Sequence, residues 1–143
     1  MKKILLLVLL VIIGLFTITG CDKEKKTKLV EGKDYTIDGE FDGKYLDLTQ
    51  RGYYIDTLNE PNAPYFYIIC MGEQTTGGYS LEIKDVNKVE DKTEVIVKEN
   101  KPGKNSVVTD ALTTPTIMIE FPEMQKNIVI KNTAGEEFKQ LEA

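Results

Sequence analysis

Chemistry in this chain must be sought among carboxylates, hydroxyls and two cysteines, because none of its 143 residues is histidine. That absence removes the Ser-His and Cys-His nucleophile pairs and the commonest zinc ligand set. Cys70 lies inside the most apolar of the expected strands, 65–71. A reactive thiol needs exposure and a positive neighbour to lower its pKa, so Cys70 reads as a small core hydrophobe. Asp38, Glu40 and Asp42 alternate around Gly39 and Gly43. This is part of a calcium-loop spacing, but the rest of the twelve-residue ligand pattern and its closing glutamate are missing. A solvated turn without metal is the expectation there. Carboxylate hydrolysis is left as a remote possibility, Arg51 is the only arginine available for an anion fork, and no glycine loop with its lysine cradles a phosphate. The chain therefore reads as non-enzymatic, with no cofactor.

The stretch best suited to recognition is Met71-Gly72-Glu73-Gln74-Thr75-Thr76-Gly77-Gly78-Tyr79-Ser80. Gly77 and Gly78 can take positive φ or let another backbone come close. Thr75 and Thr76 carry hydroxyls, and Tyr79 offers a large contact at low side-chain entropy cost. Two readings stay open. The stretch is a plain hairpin turn, or it is a loop whose residues Thr75, Thr76, Gly77, Gly78 and Tyr79 bind a partner.

The elements that must position this loop are β-strands. Upstream, 65–71 is continuously apolar, β-branched and aromatic, the pattern of a central strand covered on both faces. Downstream, Tyr79, Leu81 and Ile83 alternate with Ser80, Glu82 and Lys84, the period of a half-buried strand. Similar signals predict strands at 34–38, 44–48, 53–58, 65–71, 79–89, 93–99, 116–121 and 127–131. The expected turns are Asp42-Gly43, Asn62-Ala63-Pro64, Asp91-Lys92, Lys101-Pro102-Gly103 and Ala134-Gly135. A helical turn is expected over 136–142. No segment carries a sustained 3.6-residue stripe. Residues 29–143 thus make one domain, an all-β, immunoglobulin-like sandwich of about seven to eight strands. On such a scaffold Tyr53, Tyr54, Tyr65 and Tyr67 could line a small-ligand groove, and a structural or ligand-binding envelope protein is the alternative function.

Residues 1–20 have the layout of a targeting segment: Lys2 and Lys3, an apolar run over 4–16, then Ile18-Thr19-Gly20 before Cys21. The apolar run falls short of the ~20 residues that span a bilayer. The tetrad Ile18-Thr19-Gly20-Cys21 resembles the lipobox of bacterial lipoproteins. That resemblance implies cleavage before Cys21, lipidation of its thiol, and attachment to the extracytoplasmic face of the cell membrane. Buried acyl chains contribute ~0.8 kcal/mol per methylene, so two chains hold a domain without a span. Once Cys21 is lipidated, Cys70 has no intramolecular disulfide partner. Lys23, Lys25, Lys26 and Lys28 then fall in a charged tether, 21–28. Removal of Lys2 and Lys3 leaves 16 basic against 23 acidic residues, a net charge of −7. Nucleic acid is excluded as a partner on that balance.

Several motifs occur in a set order. Met71-Gly72-Glu73 leads to Thr76-Gly77-Gly78-Tyr79-Ser80, and Glu99 to Gly103, Val107-Val108-Thr109 and Thr113-Thr114-Pro115-Thr116 follow. Together they resemble the C-terminal domain of the PrcB family, described as protease complex subunit PrcB-like proteins, over about residues 65–132. The family often has proline where Gln74 or Thr75 stands and an aromatic residue where Thr114 stands. The resemblance implies a β-rich, extracytoplasmic, often lipid-anchored module that accompanies a protease complex and has no catalytic residues. Thr75-Thr76-Gly77-Gly78-Tyr79 is also similar to one loop of the chagasin-like inhibitors of papain-type proteases, whose two other loops are not found in the sequence. The partner implied is a protein, a protease or its complex.

Overall fold

The computed structural model describes residues 24–39, 41 and 45–143. The targeting segment, Cys21, Glu40 and the Asp42-Gly43 turn lie outside the described residues. Nine strands form: β1 (Lys26–Lys28), β2 (Thr36–Asp38), β3 (Gly52–Thr57), β4 (Tyr65–Cys70), β5 (Ser80–Val89), β6 (Lys92–Asn100), β7 (Thr116–Phe121), β8 (Ile128–Asn132) and β9 (Glu137–Phe138). They make a five-stranded sheet in the order β1-β5-β6-β8-β9 and a four-stranded sheet in the order β2-β7-β4-β3. The chain is all-β and sandwich-like, as its alternating pattern predicts. Among the described residues no helix is long and apolar enough to cross a membrane.

The core between the sheets takes Tyr53, Tyr67, Ile69, Ile119 and Phe121 from the four-stranded sheet and Val86, Val95, Val97, Ile130 and Phe138 from the other. Tyr67 and Phe121 meet edge to face, with ring centroids 5.5 Å apart, a geometry in which a positive ring edge faces a negative ring face. A second cluster forms on the other side of β4, where Tyr54, Ile68 and Cys70 lie under Phe41, Leu46, Leu48 and Leu141. The continuous apolar run of β4 is thus explained: both of its faces are covered. β5 needs one adjustment. Its register with β6 shifts between Ile83 and Asp85. The bulge re-phases the strand so that Val86, rather than Asp85, enters the core.

Four expectations need correction. No strand forms over 45–48, the described part of the strand expected at 44–48. Asp47 there accepts the amide of Thr49 at 3.1 Å and the amide of Gln50's side chain at 3.0 Å, and the local turn displaces a sheet ladder. Leu46 and Leu48 still find apolar cover, but as a cap on the outer face of β4. No helical turn forms over 136–142. Asn132 Oδ1 accepts the amides of Ala134 (3.0 Å) and Glu136 (2.9 Å), and Gly135 sits at φ +90°, so the chain reverses and Glu137–Phe138 becomes β9. Lys26–Lys28, assigned above to the tether, pairs antiparallel with Val89, Lys88 and Asn87 as an edge strand. With β1 and β9 gained and one strand lost, the strands among the described residues number nine rather than seven to eight. Finally, β4 and β5 lie in different sheets. The stretch between them is therefore a crossover and not a hairpin turn.

Candidate functional site

The crossover from β4 to β5 occupies one end of the sandwich beside the connection from β6 to β7, residues 101–115, which makes the opposite crossing. The two run together. Met71 donates its amide to Pro115 O at 2.9 Å, Gln74 and Thr113 exchange amide-carbonyl bonds of 2.7 and 3.0 Å, and Gly77 donates to Thr109 O at 3.0 Å. The Thr113 hydroxyl donates to Thr76 O at 2.8 Å. The result is a two-stranded ledge made entirely of connections, each held by the other's backbone. On the inner side Glu73 donates its amide to Thr49 O at 3.0 Å, which ties the ledge to β3's approach.

This arrangement explains the glycines. Gly72 and Gly78 have φ of +83° and +87°, where a β-carbon is strained. A β-carbon on Gly78 would also lie 2.9 Å from Pro102 Cβ, and one on Gly77 would meet the Thr109 hydroxyl. Gly77 is buried and not at an exposed tip. Tyr79 is half-buried and packs against the main core, and Thr76 is half-buried with its hydroxyl 3.2 Å from Gly77 O. Of the five residues expected to bind a partner, only Thr75 and Gly78 lie exposed. The 101–115 connection supplies what the sequence reading missed: Val107 is 102% exposed and Leu112 67%. The signal for them was an apolar Val107-Val108 pair in a stretch otherwise rich in Lys, Asn, Ser, Gly, Thr and Pro, with no strand period to bury it.

Behind the ledge, Arg51 joins the two sheets. Its guanidinium forks onto Glu99 (Nε–Oε1 and Nη2–Oε2, both 3.2 Å), donates to Glu137 O at 3.1 Å, and lies 3.9 Å over the Phe138 ring. Asn132 Nδ2 donates to the same Glu99 carboxylate at 2.7 Å. Burial opposes charge on Glu99, but the bonds from Arg51 and Asn132 outweigh it and hold the carboxyl below its usual value. The residue is therefore an inter-sheet clamp rather than a proton donor.

Burial pushes the Cys70 thiol up to about 12, so it stays protonated in the core. No group of three Cys, Asp or Glu is placed to hold a metal among the described residues, and Asp38 uses one carboxylate oxygen on the amide of Gly39 at 2.8 Å. The tyrosines expected to line a groove part company. Tyr53 borders one, whereas Tyr54 and Tyr67 are core and Tyr65 packs beside them.

The ledge lies wholly inside a stretch that a known family describes. No curated protein and no solved structure shows a significant match to the chain. The family model described as PrcB C-terminal matches residues 65–122. The match stops ten residues short of the end expected from the motifs and leaves β8 and β9 outside it. It spans β4, both halves of the ledge and β7, so over residues 65–122 the chain is similar to the PrcB C-terminal family.

Proposed function

We propose that the protein is a non-enzymatic module, lipid-anchored through Cys21 on the extracytoplasmic face of the cell membrane, that binds a protease or protease complex with the ledge. The observation that supports this is the coincidence of the family segment with a surface of unpacked residues. Within 65–122, Thr75, Val107 and Leu112 stand exposed on two connections that are tied to each other by backbone bonds at Met71–Pro115, Gln74–Thr113 and Gly77–Thr109. Exposed side chains on connections already held by such bonds lose less entropy on binding than they would on a free loop. The glycines and Tyr79 act in this reading as the frame.

The test is a titrated pull-down from solubilised membranes, with the melting curve of each variant measured alongside. Thr75→Ala and Val107→Asp should leave stability within about 0.5 kcal/mol of wild type and weaken capture by at least ~1 kcal/mol. Thr76→Ala should have a smaller effect on capture, because its side chain is turned onto Gly77. Unchanged capture by folded Thr75→Ala and Val107→Asp would reduce the ledge to a scaffold. The anchor is tested separately: Cys21→Ala should abolish incorporation of a fatty-acid analogue, and a variant that still took up label would remove Cys21 from the reading.

A further inference from the structure

The end of the sandwich remote from the ledge holds an open groove of about 460 Å³ along the seam between the sheets, beside the β5–β6 turn. Its floor and walls include Tyr53, Ile55, Ile128 and Met124, and its rim carries Lys92 and Lys126. Backbone geometry shows what kind of occupant the seam is shaped for. Tyr53 donates its amide to Lys139 O at 2.9 Å, and Leu141 donates to Tyr53 O at 2.8 Å. The outer edge of β3 therefore already accepts one strand, residues 139–141, running parallel to it at the Tyr53–Gln140 bridge. In an antiparallel pair such as β3–β4, alternate residues turn both polar groups outward. Ile55 repeats the orientation of Tyr53, and neither its amide nor its carbonyl meets a backbone partner among the described residues. One step further the ladder is closed, because Asp56 Oδ1 takes the Thr57 amide at 2.7 Å.

The facing edge repeats this pattern. Asn132 donates its amide to Glu136 O at 2.8 Å and Ile130 stands opposite Phe138, so Ile128, two residues earlier, turns its amide and carbonyl the same way. β9 ends at Phe138 and the chain crosses to β3 before it can reach Ile128. The C-terminal segment thus closes half of the seam, and the other half is left, among the described residues, with unpartnered amides and carbonyls on both edges of one groove. Open edges of this kind recruit an added strand, with main-chain bonds supplying affinity and the pocket selecting alternate side chains.

Charge narrows the occupant. Lys92 and Lys126 form no ion pair among the described residues. The one carboxylate lining the groove, Asp91, is held by Asn127 Nδ2 at 2.7 Å. We propose that the groove takes an extended peptide segment of a partner protein as an added strand against Ile55, with an aliphatic side chain in the seam and a carboxylate against Lys92 and Lys126. This site is separate from the ledge and does not depend on the protease reading.

The probe is a synthetic hexapeptide of alternating glutamate and valine, acetylated and amidated, titrated into the isotope-labelled full-length chain in detergent micelles. The amide resonances of Ile55 and Ile128 should shift together, and hydrogen exchange at Ile55 should slow about tenfold at saturation. Methylating the central backbone nitrogens of the peptide removes its donors without touching the protein, and should raise Kd at least tenfold. Lys92→Glu with Lys126→Glu should do the same and transfer preference to a lysine-valine peptide. Absence of shifts at millimolar peptide, shifts confined to the ledge, or equal binding by the methylated peptide would each overturn the proposal.

Discussion

The two sheets share one core but treat their outer faces differently. Outside the four-stranded sheet, Tyr54, Ile68 and Cys70 are buried beneath the β2–β3 connection. Tyr54 donates its hydroxyl to Asp47 O at 2.7 Å, and Phe41 donates its amide to the Thr116 hydroxyl at 3.1 Å, which pins the cap in place. Outside the five-stranded sheet there is a charged surface instead. Glu94 bonds Lys131 at 2.7 Å and faces Lys26 at 3.7 Å, and Lys28 pairs with Asp85 at 2.7 Å. The contrast shows how a small all-β domain enlarges its core without enlarging its sheets: one strand, β4, is made apolar throughout and a connection is folded over it. The wet face keeps the alternation and its solubility. It also keeps one unresolved feature, since Asn87 Nδ2 is buried with no partner among the described residues.

If the outer cap is true core, Ile68→Ala should cost as much as Ile69→Ala on the inner face, about 2–5 kcal/mol each. Chemical denaturation measures both. A loss below about 1 kcal/mol at Ile68 alone would make the cap a loose flap over a surface strand. Cys70→Ser tests the same layer from its chemistry and should cost about 1–3 kcal/mol, because a hydroxyl replaces a thiol with no assured acceptor. With the thiol pushed up to about 12 by burial, alkylation should follow global unfolding and not precede it.

A smaller effect is expected at the inter-sheet clamp. Glu99→Gln weakens the fork from Arg51 and should cost about 1–2 kcal/mol at neutral pH. The sign of its pH dependence follows from the direction of the shift. The folded carboxyl lies below the usual 4.5, so its contribution is complete above that value and is lost as pH falls through the folded pKa. Wild type should therefore approach the variant in stability only as pH falls below 4.5 and on through the folded pKa. Glu94→Gln on the wet face should be the mildest change. Its carboxyl is also held low, first by Lys131, but a single lysine bond lacks the guanidinium fork and the asparagine bond that Glu99 receives, so the pair should contribute under about 1 kcal/mol and weaken in salt. A Glu94 effect that exceeded the Glu99 effect and resisted salt would reverse the distinction between the clamp and the open face.

The strand pattern was readable because it is local. Alternation at 79–89, 93–99 and 116–121 and the unbroken apolar run at 65–71 report which faces are buried, and burial is imposed residue by residue along each strand. Cys70 as an inert core thiol followed from the same run. The motif order around Met71 to Pro115 also sufficed to place the PrcB C-terminal segment. What the sequence could not decide was which strand lies beside which. Whether 71–80 is a hairpin or a crossover depends on the sheet that β5 joins, and that sheet is built by β6 with β8, β9 and the distant β1 rather than by β4. The same holds for Gly77, buried because Thr109 arrives above it. It holds as well for Lys26–Lys28, whose alternation is hidden in charge until β5 offers an edge. The fate of 44–48 and 136–142 turned on side-chain bonds from Asp47 and Asn132, which compete with regular structure at a cost too small to read from composition. Periodicity is a property of a segment, but partnership is a property of the whole chain, and the ledge and the seam groove exist only through partnership.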